Sequence, residues 1–172
     1  MRKLLYVIVA VFGVFAALSL SGTSVVHSEA ASATINSFVD TSVNSSTISF
    51  GNLDPGTSNN SATENAITLT NTANSNTAVD IYLQSQNLTS GGFTIGVSNL
   101  KVSKTSGGAK TSLVEATANW LNGAGPNQGY YEGVAKSGTA DFYFWLDVPA
   151  GQDAGAYTGT LTIKTVKDGN TP

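Results

Sequence analysis

The chain lacks cysteine altogether and has a single histidine among its 172 residues. Without cysteine it can form no disulfide, no thiolate metal site and no cysteine nucleophile. The histidine, His27, lies in or beside an N-terminal leader, so a Ser-His-Asp arrangement would have no imidazole to take the proton. We therefore expect a protein that is not an enzyme, binds no metal or other cofactor, and is held together by burial and sheet hydrogen bonds.

Charge is equally scarce. Charged residues make up 11% of the chain, the formal net charge is −3, and Arg2 is the one arginine. Nucleic acid requires a basic footprint, so we expect no nucleic-acid partner. Serine, threonine, asparagine and glycine fill the polar positions instead, over a length that suits one domain with its own core.

The N-terminus has the pattern of a secretion leader. Arg2-Lys3 precedes an uncharged apolar run, Leu4–Leu20, as the n-region and h-region of a signal peptide do. Small residues permit cleavage after Ser24, after Ala30 or after Ala33, and the last is favoured because it completes an A-x-A site. The alternative is a retained anchor, although the run is at the short limit for spanning a bilayer. We expect a signal peptide over 1–33 and an extracellular location.

The clearest structural signal lies between residues 141 and 166. Within Asp141–Val148 the residues alternate between two sides of a strand. One side carries Phe142, Phe144, Leu146 and Val148, and the other carries Asp141, Tyr143, Trp145 and Asp147. This period of two is typical of a half-buried strand. Pro149–Gly155 interrupts this pattern, and alternation resumes after Ala156. A strand pair with one oily face must pack on a second sheet. The sequence therefore predicts an all-β fold, a single immunoglobulin-like or jelly-roll β-sandwich over residues 47–172.

Similar short patterns recur along the chain. The further strand candidates are Thr34–Val43, Ile48–Phe50, Ile67–Leu69, Val79–Leu83, Phe93–Val97 and Leu100–Val102. Asp54-Pro-Gly56 predicts a tight turn. Leu113–Leu121 fits either a strand or a short helical turn, and Asn122–Gly138, with its glycines, predicts a long surface loop.

Few residues suggest chemistry. Asp141, Asp147 and Asp153 could form the carboxylate pair of a glycosidase or, with Asp54, a calcium site, but outward acids more simply keep a sheet face soluble. On the same side of the strand, Tyr143 and Trp145 form a possible surface aromatic contact, for a sugar or for another subunit. The alternative is that a loop covers them.

Three sequons fit exposed loops of an exported protein. They begin at Asn44, Asn59 and Asn87. We treat these asparagines as possible N-glycosylation sites.

Four segments together carry a family resemblance. Ile48–Gly56, Ile67–Thr72, Phe142–Gly151 and Gly155–Ile163 occur in the order and with the strand-and-turn patterns of single-domain sandwich subunits. The chain thereby resembles archaeal bundling-pilus and thread subunits, which are similar to TasA-type biofilm fibre proteins. The resemblance implies a structural subunit of an extracellular filament, polymerising head-to-tail with identical subunits by N-terminal donor-strand complementation.

Residues 34–46 occupy the position of that donor strand. The resemblance implies that Ile35, Ser37, Val39, Thr41 and Val43 face the groove of a neighbouring subunit. Phe38 departs from the pattern because it lies on the opposite face. Pairing of this strand within its own chain is the rival arrangement. The alternative function is a non-polymeric cell-surface or adhesin module that binds carbohydrate through exposed aromatics. For the filament subunit, neighbouring filaments and cell-surface glycans are further candidate partners.

Overall fold

The computed structural model describes residues 32–115, 120–121 and 129–172. The predicted leader, with its cleavage points after Ser24 and Ala30, lies outside the described residues except for Ser32 and Ala33. Asn36–Pro172 forms one compact unit. No helix in the described ranges is long and apolar enough to cross a membrane.

The described part of this unit contains eleven short strands. They are β1 (Thr41–Val43), β2 (Asn60–Ser61), β3 (Ile67–Asn71), β4 (Val79–Ser85), β5 (Leu88–Ser90), β6 (Phe93–Ile95), β7 (Leu100–Ser103), β8 (Thr111–Ser112), β9 (Tyr131–Val134), β10 (Thr139–Leu146) and β11 (Leu161–Lys167). One 3-10 turn, Val97–Asn99, precedes β7.

The strands form two main antiparallel sheets. The first has the order β1-β3-β10-β7-β8, with β2 beside the end of β10, and the second has the order β11-β4-β9. A separate hairpin joins β5 and β6. The inner faces of both sheets contribute to one apolar core. The predicted all-β sandwich is therefore confirmed.

The core contains the residues that alternation predicted. Phe142, Phe144, Leu146 and Val148 on one side of the β10 segment are 9% exposed or less. The odd-numbered apolar residues of β4 in the facing sheet are fully buried. The predicted turn also forms, since Pro55 is followed by Gly56 at φ 79° and the Thr57 N–H donates to the carbonyl of Asp54 at 3.4 Å.

The prediction of a surface loop over Asn122–Gly138 is wrong for its second half. Tyr131–Val134 forms β9 and pairs with β4, and the Tyr130 side chain is only 6% exposed. Tyr130 stacks on Phe142, with ring centroids 6.1 Å apart. The glycines of this segment hide the alternation, because Gly133 lies inside the strand at φ 59°, where the register with β4 shifts. Residues 122–128 lie outside the description.

Two other predicted strands differ from the structure. Ile48 and Phe50 belong to no strand, although both side chains pack against the core. Between Leu113 and Leu121, Glu115 and Leu121 each form a single bridge to β4, and residues 116–119 lie outside the description. Leu113 and Leu121 are both buried and extend the core beyond β8.

Candidate functional site

Two edge strands lie side by side at one margin of the sandwich. β1 borders the first sheet and β11 borders the second, and neither has a further strand beside it in the part of the chain that the structure describes. The hydroxyl oxygens of Thr41 and Thr165 approach to 3.4 Å, which brings the two edges together at that point. Beyond this contact the margin opens.

The outer backbone groups of β11 can be assigned from its pairing with β4. The Gln86 N–H donates to the Thr160 carbonyl at one end of β11, and the Asp168 N–H donates to the Ala78 carbonyl at the other. Because backbone hydrogen bonding alternates along an antiparallel pair, the even-numbered residues of β11 form the hydrogen bonds to β4. The N–H and C=O groups of the odd-numbered residues therefore point away from β4. They belong to Leu161, Ile163, Thr165 and Lys167. These groups can accept a further strand, because an unpaired edge is a template for pairing.

An apolar cleft opens beside this edge. It has a volume of about 520 Å³, and its lining includes Val43, Ile48, Phe50, Ile67, Leu161 and Ile163. Leu161 and Ile163 are only half-buried, whereas Ile81 and Leu83 on the neighbouring β4 are 0% exposed. The core is thus less well covered at this margin than at its centre.

The predicted donor-strand residues do not share one environment. Ile35 is 85% exposed, and Ser37 is also exposed. Val39 is half-buried against the core. Thr41 and Val43 belong to β1 and pair with β3 of their own chain, although Val43 remains 46% exposed beside the cleft.

Hydrogen bonds attach the segment around β1 to the β3–β4 turn. The Asp40 N–H donates to the Ser75 hydroxyl at 2.7 Å, and that hydroxyl donates to the Asp40 carbonyl at 2.9 Å. The Asp40 carboxylate accepts bonds from the Thr72 hydroxyl and the Asn74 amide at 2.6 and 3.1 Å. These two bonds, from Thr72 first and Asn74 second, lower the pKa of Asp40.

Of the two arrangements expected for Trp145, exposed or covered, the structure has the covered one. Its side chain is 6% exposed, and the Lys110 ammonium lies 4.7 Å from the centroid of its ring. Lys110 in turn donates to the Asn59 side-chain oxygen at 2.9 Å. Tyr143 is half-buried. The β10 alternation could not reveal this cover, because it comes from residues far away in the chain.

The candidate acids are held separately by local partners. Asp147 forms an ion pair with Lys101 and accepts the Asn59 N–H at 2.7 Å, while Asp141 accepts the Thr68 hydroxyl at 2.6 Å. Burial raises the pKa of Asp147, but the Asn59 N–H and the lysine charges outweigh it, so that the pKa is lowered overall. Within the described ranges, no group of three acids, histidines or cysteines could hold a metal ion.

The three sequon asparagines differ in how their amides are bonded. The Asn44 amide nitrogen donates to Ala66 at 3.1 Å, and the Asn87 amide nitrogen donates to Glu115 at 3.2 Å. Asn59 is exposed, with φ 57°, and accepts Lys110 through its oxygen. N-glycosylation at these positions stays a prediction.

Comparisons with known proteins give no relative. No family model, no curated protein sequence and no solved structure matches this chain. The resemblance to archaeal bundling-pilus subunits and TasA-type fibre proteins therefore stays a prediction.

Proposed function

We propose that this protein is the structural subunit of an extracellular filament, in which each subunit accepts a strand from a neighbouring copy. The observation that carries the proposal is the open margin between β1 and β11. There, the outward backbone groups of Leu161 and Ile163 lie beside an apolar cleft of about 520 Å³.

Such a margin favours strand addition for two physical reasons. An added strand gains ladder hydrogen bonds with the odd-numbered residues of β11, and its alternate side chains fill the cleft. The half-buried Leu161 and Ile163 would lose their remaining contact with water. Burial of an apolar side chain contributes about 1.5–3 kcal/mol before ordering costs.

The occupant we propose is the N-terminal segment of a second copy. Within the described residues, Ile35 is a large apolar side chain of this segment, and it is 85% exposed. Phe38 lies beside the β3–β4 turn, where its N–H donates to the Asn76 side chain. The cleft instead lies beside Ile67, at the beginning of β3. The donor segment thus joins its own domain at the end of β3, and the acceptor cleft lies at the beginning of β3. This arrangement favours a head-to-tail contact, which propagates rather than closing into a dimer.

Electron microscopy of the purified mature protein tests this function. We expect filaments in the wild type and none in Leu161→Asp, because a charge in the cleft would be buried without a partner. Thr162→Asp is the matched control, since it carries the same charge on the opposite face of β11 and should still assemble. Wild-type protein that stays monomeric at high concentration, over a range of salt and calcium concentrations, would contradict the proposal.

A further inference from the structure

We infer that residues 36–44, the anchor segment, stay bound to their own subunit, so that any exchanged strand ends before Asn36 and requires cleavage after Ser24 or Ala30 rather than after Ala33. The inference rests on the proposed function and deepens it by defining which part of the N-terminus meets the neighbouring copy. It also reassigns the candidates Ser37, Val39, Thr41 and Val43 from a partner's groove to the subunit's own fold.

Backbone hydrogen bonds join the anchor segment to the facing segment of its own chain. The Asn44 N–H donates to Thr68 at 3.1 Å, the Thr72 N–H donates to Asp40 at 2.9 Å, and the Asn76 N–H donates to Phe38 at 3.1 Å. These bonds span the segment almost from end to end. The anchor segment is thus hydrogen-bonded to its own subunit on both sides of β1 and is not a loosely bound arm.

Side chains on the facing segment also bind the backbone of the anchor segment. Asn76 binds both the Phe38 N–H and the Asn36 carbonyl, at 2.7 and 2.9 Å. Ser75 is 0% exposed, and both of its hydroxyl bonds go to the Asp40 backbone. Removing the anchor segment would leave these polar groups without their partners and uncover the edge of β3.

The anchor segment also forms part of the wall of the cleft. Val43, at the end of β1, and Ile48, shortly after it, both line the cleft. If β1 left its own sheet, one wall of the acceptor would leave with it. A subunit can therefore accept a strand only while its own β1 is in place. This makes β1 part of the acceptor instead of the donor.

A disulfide lock tests the inference, because the chain contains no cysteine that could compete. Ser42 and Thr70 are directly opposed between β1 and β3, on the face away from the core. Opposed residues of an antiparallel pair have the Cα separation that a disulfide needs. We expect oxidised Ser42→Cys/Thr70→Cys to form as many filaments as its reduced form. Thr162→Cys/Gln84→Cys, opposed between β11 and β4, is the matched control for a lock that leaves β1 untouched.

Two results would overturn the inference. One is a Ser42→Cys/Thr70→Cys protein that assembles when reduced but stays monomeric when oxidised, while the control pair assembles in both states. The other is an intermolecular disulfide in filaments grown from a mixture of the two single-cysteine proteins. If even the wild type never assembles, the proposed function fails separately. Hydrogen exchange in the monomer then tests whether the anchor segment is bound to its own subunit. Protected Asn44, Thr72 and Asn76 amides support the inference, and rapid exchange of these amides refutes it.

Discussion

The burial of Trp145 shows that a strand pattern does not determine the exposure of each side chain. Alternation on β10 correctly places Phe142 and Phe144 in the core, because both the period and the burial arise from neighbours in sequence. The cover over Trp145 comes instead from Lys110 and the segment that contains Asn59. A local pattern contains no information about such distant contacts.

Truncation of Trp145 should therefore destabilise the folded protein rather than only remove a surface contact. We expect Trp145→Ala to lower the free energy of unfolding by about 3–5 kcal/mol, as loss of a large buried ring does. Lys110→Ala should cost about 0.5–1 kcal/mol, the value of an exposed cation–π contact. Urea unfolding followed by circular dichroism measures both. A Trp145→Ala protein as stable as the wild type would place the ring at the surface.

Asp147 gives the molecule a predictable response to acid. Its pKa in the folded protein is lowered overall, because the Asn59 N–H and the lysine charges outweigh the effect of burial. A depressed folded pKa contributes stability above the ordinary carboxyl pKa of about 4, and this contribution is lost as the pH falls through the folded value. We expect Asp147→Asn to be less stable than the wild type at neutral pH.

The difference between these two proteins should shrink in acid. Melting temperatures measured between about pH 7 and pH 2 test this expectation, because the wild type has a carboxylate to lose and the variant does not. Asp153→Asn is the control, since the Asp153 side chain is exposed. A constant gap between wild type and Asp147→Asn at all pH values would contradict the assignment.

At the scale of elements, the strands with strong alternation were predictable and those defined by pairing were not. β4 and β10 combine a clear period of two with aromatic or branched residues, and both form as predicted. β9 contains Gly133 and an exposed Glu132, so only its pairing with β4 makes it a strand. β1 matched a strand pattern, but no sequence pattern says whether its partner belongs to the same chain.

The edge of β11 permits a test that separates backbone from side chain. The Ile163 N–H points away from β4, so Ile163→Pro removes one outward donor and Ile163→Ala retains it, while both lose the large side chain. We expect Ile163→Pro to block filament growth more strongly than Ile163→Ala. Light scattering at matched concentration measures growth. Lys164→Pro should instead unfold the domain, because it removes a bond to β4. Equal growth of the two Ile163 variants would exclude hydrogen bonding at this residue.

At the scale of the whole molecule, the absences in the sequence predicted more than its motifs did. A chain without cysteine and with little charge has to rely on burial and paired strands, and the sandwich has this character. The candidate cleft was beyond prediction, because its walls come from regions far apart in the sequence, among them β1, the segment after it, β3 and β11. Only folding brings these regions together.

Assembly should also make thermal stability depend on protein concentration. A partner that binds the folded state and not the unfolded state stabilises it by mass action, by about 2.7 kcal/mol when its concentration is 100 times the dissociation constant. For a domain of this size, that corresponds to a rise in Tm of about 10 °C. We expect the wild-type Tm to rise with concentration across the range in which filaments appear, and the Tm of Leu161→Asp to stay constant. Calorimetry at several concentrations measures both, and a constant wild-type Tm in samples full of filaments would show that strand addition does not stabilise the subunit.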